Sequence, residues 1–336
     1  MFVDLLRFVA AFQMLQGHTV SALLAPAYRV GKWYAVWSAA RGLTSVAFLF
    51  AAGLAFQITT AREYASAKPA RRHARALRAL RLIALGYLLH LPLAVLWSSD
   101  ARDVQLAWER FIAVDVLQCI GVAMLALEAL AWALSTPRRV AWASAALGSA
   151  LLYLAPLAES GAVGFAPRVL TAYLTSRDGS LFPLLPWSAH VFLGVACGAL
   201  VDREPARAAV RLATASACLF GAATAVRLLA SESLVSEQLS RLGSVVLVTG
   251  VLALLSRRMQ RLPAWLQVLA GETLFLYVFH VLLVYGDGVG LAERIGPRLT
   301  PAAAILAALG VVLSSFAAAL AYRRARNALA EKPLAA

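Results

Sequence analysis

Ten apolar runs, each near the length of a bilayer crossing, constrain this chain more than any other feature. They lie at 2–24, 39–59, 79–97, 111–134, 140–157, 183–201, 210–230, 241–256, 265–285 and 301–321, with the 140–157 and 241–256 runs shorter than the rest. A helix of about 20 apolar residues spans the hydrocarbon core, where a chain must satisfy its own backbone hydrogen bonds. The expectation is an all-α, polytopic integral membrane protein. About ten transmembrane helices would surround a polar cavity, as a single domain over 1–336. Composition agrees, since 61% of the residues are apolar and 14% charged, whereas soluble domains run nearer a half and a quarter. This balance excludes disorder and argues against an ordinary water-soluble enzyme. No internal period suggests a solenoid.

The chain is strongly basic, at +14. In a soluble protein that would suggest nucleic acid, so the placement of the charges decides their meaning. Nineteen of the 31 basic residues fall in 60–81, 135–139, 202–211, 257–261 and the tail, and nine fall in the alternate loops. By the positive-inside rule the richer set is cytoplasmic. Both termini then face the cytoplasm, as an even number of spans requires. The charge reports orientation, so the lipid bilayer is an expected partner and nucleic acid is not. The excess of arginine over lysine, with much Ala and Leu, points to a GC-rich bacterial source and the inner membrane. The first run reads as retained. It has no basic segment before Asp4, and Arg7, Gln13, Gln16 and His18 interrupt it, unlike a cleaved signal. Cys119, Cys197 and Cys218 show neither disulfide nor zinc spacing and read as small buried hydrophobes, with no metal implied.

Ionisable residues inside the membrane are costly and point to function. Arg7 and His18 are eleven residues apart, about three turns, so they share one helix face roughly 16 Å apart along the axis. Asp4 lies on that face within reach of Arg7. His90, His190 and His280, with Asp115 and Arg41, fall in the same outer half as His18 under this topology and suggest a cavity open to the outside. His73 lies in the basic loop and reads as solvated. Blander readings stand beside these. A lone membrane histidine is often a packing residue, which stays open for His90 and His190, and Arg7 can snorkel to the inner surface. A proton-coupled secondary transporter with a His/Asp/Arg-lined cavity is the alternative function, although no two-fold hydropathy repeat supports it. A haem protein with paired histidines is a more distant rival.

Five segments in order resemble one family. These are DLLRFVAAFQMLQGH (4–18), FLFAAGLAF (48–56), DVLQCIGVA (115–123), FPLLPWSAHVFLGVACG (182–198) and GETLFLYVFH (271–280). Arg7, ten residues and His18 match the Arg-x10-His signature of membrane acyltransferases. The whole series resembles bacterial relatives of the heparan-α-glucosaminide N-acetyltransferase catalytic domain. Phe8 stands where that family usually has Gly, and the 158–182 loop is short for handling a large polysaccharide.

The resemblance implies transfer of an acetyl or other acyl group from cytoplasmic acyl-CoA, as co-substrate, to a sugar hydroxyl or amine outside. Arg7 would meet the coenzyme phosphates, with Arg71, Arg72, Arg75 and Arg78 as further candidates; the 60–81 segment otherwise serves as a topology determinant at the anionic leaflet. His18 would act as base, since an unperturbed imidazole titrates near 6.5, or would itself carry the acyl group. Asp115 is a candidate orienting carboxylate. His280, with Tyr277 one turn below it, would position the acceptor or steady the oxyanion. Arg41, His190 and Asp178 are candidate substrate contacts. The implied partners are acyl-CoA and a glycan or glycolipid acceptor, with a homodimer left open.

Overall fold

The structure, a computed structural model, describes residues 1–65, 72–91, 100–201, 204–230, 233–286 and 289–330. Its α-helices are α1 (Phe2–Leu23), α2 (Gly31–Ala65), α3 (Arg72–Leu89), α4 (Ala101–Ile112), α5 (Val116–Ala133), α6 (Pro137–Leu157) and α7 (Arg168–Leu174). They continue with α8 (Leu184–Gly198), α9 (Pro205–Ala230), α10 (Leu234–Ser256), α11 (Ala264–Gly271), α12 (Thr273–Tyr285), α13 (Leu291–Arg294) and α14 (Pro301–Ala330). The fold is all-α, and the described residues form no strand beyond an isolated bridge between Leu24 and Leu299.

Among the described residues, each of the ten apolar runs falls mainly on helix. The 265–285 run is the α11–α12 pair, bent by 70°. The 79–97 run is helical as far as Leu89, and 92–97 lies outside the described residues. Among the described residues, six helices are long and apolar enough to cross a membrane, or seven if the bent pair is one span. That is fewer than the ten expected, and three helices account for the difference. Helix α1 has the length, 22 residues, but Asp4, Arg7, Gln13, Gln16 and His18 lower its hydropathy. Helix α3 opens on arginines, and α8 has 15 residues.

The chain divides into two compact units: Met1–Ala47 with Leu255–Ala336, and Phe48–Leu254. In the first, α1 packs against α11, α12 and α14. Phe8 fills its position with ring contacts, 5.8 Å from Trp265 and 5.8 Å from Phe316 between centroids. The bend between α11 and α12 falls at Glu272, whose buried carboxylate accepts from Arg323 Nη1 at 2.9 Å and Arg326 Nη2 at 2.7 Å, both on α14. At the other end of α1, Arg29 donates to the carbonyls of Ser21 at 2.9 Å and Leu24 at 2.8 Å. The last carbonyls of a helix have no partner within it, and a cation there also suits the helix dipole.

In the second unit, glycines set how closely helices approach. A Cβ on Gly53 of α2 would run into the Val191 carbonyl of α8, and one on Gly194 of α8 would run into the Phe50 carbonyl. Small residues at such a crossing let two backbones touch. Helices α2, α3 and α5 are also tied by charge, because Arg75 meets Glu63 at 2.5 Å and also pairs with Glu128.

Candidate functional site

Helix α1 is unbroken from Phe2 to Leu23, so the eleven-residue spacing puts Arg7 and His18 on one face, about 16 Å apart. Asp4 meets the N-terminal amine at 3.2 Å. Arg7 makes no ion pair within 4.0 Å among the described residues, so its guanidinium is not neutralised by Asp4 at contact distance.

Around His18 the first unit brings several polar groups together. His280 of α12 lies beside it, with Nε2 3.0 Å from Nδ1 of His18 and ring centroids 5.1 Å apart. The other nitrogen of His280, Nδ1, is 3.0 Å from the Leu276 carbonyl one turn earlier. His280 is buried, whereas His18 is half-buried. The Tyr277 ring meets the His280 ring at 5.6 Å. Tyr285, at the end of the same helix, donates to the backbone carbonyl of His18 at 3.2 Å, and the two rings meet edge-on with centroids 5.9 Å apart.

A cation completes this group. A Cβ on Gly17 would stand 2.9 Å from Cγ of Arg41, so the bare glycine admits the arginine stem beside His18. The Arg41 guanidinium lies 5.8 Å from the centre of the Trp37 ring, and Trp37 donates to Gln16 Oε1 at 3.0 Å. Nε of Arg41 is buried with no hydrogen-bond partner among the described residues. A positive group of this kind, in low dielectric, can stabilise negative charge developing on a bound molecule.

The other expected site residues have different surroundings. Asp115 caps α5: it accepts from the Val116 amide at 2.7 Å, and Gln118 completes a capping box. Its carboxylate also stands 3.7 Å from Nε2 of His90, and Nδ1 of His90 faces the Gly86 carbonyl at 3.0 Å. His190 is buried with Nε2 2.9 Å from Gln238 Oε1, while its Nδ1 has no partner among the described residues. Asp178 accepts from Thr171 and lies 3.8 Å from Arg168. It lines a cavity of about 430 Å³ with Arg168, Thr171, Thr175 and Arg177. Among the basic candidates, Arg75 is held by Glu63 and Glu128. Burial works against its charge, but these two carboxylates outweigh it and hold the guanidinium protonated more firmly than usual. Arg78 is exposed on α3. Arg71 lies outside the described residues, as does the side chain of Arg72.

Sequence reasoning missed Tyr285, the Gln16–Trp37 bond and the carboxylates on Arg75. Gln16 and Glu128 carried a usable signal, since a polar side chain inside an apolar run demands a partner. Tyr285 carried none, because its hydroxyl meets a backbone carbonyl far away in sequence.

No curated protein matches the chain and no solved structure does. A family model does: residues 1–236, and so both Arg7 and His18, match the catalytic domain of heparan-alpha-glucosaminide N-acetyltransferase, and the chain belongs to that family.

Proposed function

We propose that the protein moves an acetyl or other acyl group from cytoplasmic acyl-CoA to a hydroxyl or amine of a sugar on the far side of a bacterial inner membrane. The whole chain would act as one domain, with ten helices across the bilayer and both ends in the cytoplasm. The observation that carries this reading is α1 itself. It bears a cation near one end and, about 16 Å along the same face, a histidine set against another histidine and beside Arg41. Membership in a transferase family supports the reaction class and lends nothing to the transporter alternative.

In this account Arg7 meets the anionic end of acyl-CoA through charge-assisted hydrogen bonds. The pantetheine arm follows the α1 face, so that the thioester arrives near His18. His18 takes the proton of the acceptor as its oxygen or nitrogen attacks the carbonyl carbon. Arg41 faces the charge that develops on the carbonyl oxygen. Tyr285 holds the His18 backbone, and Tyr277 packs the ring of His280. Asp115 holds the ring of His90.

Two measurements test the reading. Purified protein in nanodiscs should release free CoA from acetyl-CoA when acceptor is present. Mass spectrometry of envelope glycans should show an acyl group that disappears when the gene is removed. No CoA release with any envelope glycan fraction would sink the proposal.

A further inference from the structure

We infer that His280 is the positioning residue that sets the tautomer of His18, and so decides which nitrogen of His18 acts as the base. The catalytic consequence rests on the acyl-transfer reading above, whereas the tautomer follows from hydrogen-bond geometry. The family match ends at residue 236, so His280 is not among the matched residues.

A neutral imidazole carries one N–H and one lone pair. Nδ1 of His280 lies 3.0 Å from the Leu276 carbonyl oxygen, which can only accept, so that nitrogen bears the hydrogen. The lone pair of His280 is therefore on Nε2. Nε2 is 3.0 Å from Nδ1 of His18, and two lone pairs do not bond, so Nδ1 of His18 must be the donor. The lone pair of His18 is then on Nε2, on the opposite side of its ring. One arrangement reverses this order, with His280 protonated on both nitrogens. It would bury an imidazolium at 0% exposure, and no carboxylate pairs with His280 among the described residues. A buried charge without a counter-ion costs far more than the neutral arrangement.

The Leu276 carbonyl thus orders two rings through two hydrogen bonds, and α12 sets the chemistry of a residue on α1. As the acceptor oxygen bonds to the thioester carbon and the carbon–sulfur bond breaks, the hydroxyl proton passes to Nε2 of His18. The Nδ1 proton stays in place, and its bond to His280 becomes charge-assisted, which stabilises the new imidazolium. The Nε2 proton then passes to the departing thiolate, leaving ester, thiol and the neutral pair.

The test reads the tautomer directly. Nitrogen NMR of histidine-labelled protein in nanodiscs, with the His18 signal assigned by its loss in His18→Ala, should show His18 protonated on Nδ1. In His280→Leu, which removes the acceptor, His18 should shift toward the Nε2-protonated form. The kcat for CoA release should fall about 100-fold with the KM for acyl-CoA unchanged. His280→Gln retains an oxygen acceptor and should keep kcat within about tenfold of wild type. A wild-type His18 protonated on Nε2, or a His280→Leu variant with unaltered kcat, overturns the inference. An Nδ1-protonated His18 in a protein that releases no CoA upholds the tautomer and removes the acyl-transfer reading instead.

Discussion

His18 on α1 and His190 on α8 have similar sequence settings, each a single histidine inside an apolar run. Their partners separate them. Nε2 of His190 is bonded to an amide oxygen, its Nδ1 is buried with no partner among the described residues, and the residue has no exposed surface. His18 is half-buried and bonded to another imidazole. An imidazole bonded to another imidazole belongs to a chain with a defined proton inventory, and a half-buried ring can still meet a substrate. Access together with the chemistry of the partner, more than burial alone, is what favours His18 as the proposed base. The arginines repeat the contrast. Arg75, in the unit that holds His190, sits between two carboxylates, while Arg7 and Arg41, in the unit that holds His18, make no ion pair within 4.0 Å among the described residues.

The largest expected effect breaks the assignment of Arg75. Removing one member of a fully buried ion pair costs about 3–5 kcal/mol; Arg75 is half-buried, which reduces that figure, but its loss still leaves the buried Glu128 without this cation. Arg75→Ala should therefore lower the unfolding midpoint of purified protein sharply, with an unchanged KM for acyl-CoA in the fraction that stays folded. A normal melting temperature with a raised KM would return Arg75 to the phosphate site. Next is Arg7→Ala. A hydrogen bond to a charged group contributes about 1.5–3 kcal/mol, so the KM for acyl-CoA should rise about 10–100-fold with the acceptor KM unmoved. Equal rises in both would contradict its phosphate role. The smallest is His190→Ala, which leaves Gln238 unsatisfied at about 1–3 kcal/mol of stability and should hold CoA release within about threefold. A raised acceptor KM in that variant would make His190 part of the acceptor site.

The sequence disclosed the helices well and the contacts between them poorly. Among the described residues each apolar run falls mainly on helix, because spacing and composition are local properties, and the Arg7–His18 relation was legible for the same reason. Asp4 shows where local reasoning stops: it shares a face with Arg7, yet its carboxylate meets the terminal amine. His18 and His280 are 262 residues apart, and nothing in either segment names the other. Gly53 and Gly194 were visible within their motifs, but their use, a crossing in which each abuts the backbone of the opposite helix, emerges only once the helices are packed. Asp115 followed the same course, because an aspartate three residues before Gln118 is a helix-cap pattern that its catalytic appeal had hidden.

The central claim is that the α1 histidine performs the transfer and the buried α8 histidine does not. CoA release by wild type, His18→Ala and His190→Ala, each shown to be folded by thermal unfolding in the same nanodiscs, tests it most directly. The account predicts a loss of about 10²–10⁴-fold for His18→Ala and near wild-type release for His190→Ala. A folded His18→Ala protein that releases CoA at the wild-type rate would contradict it.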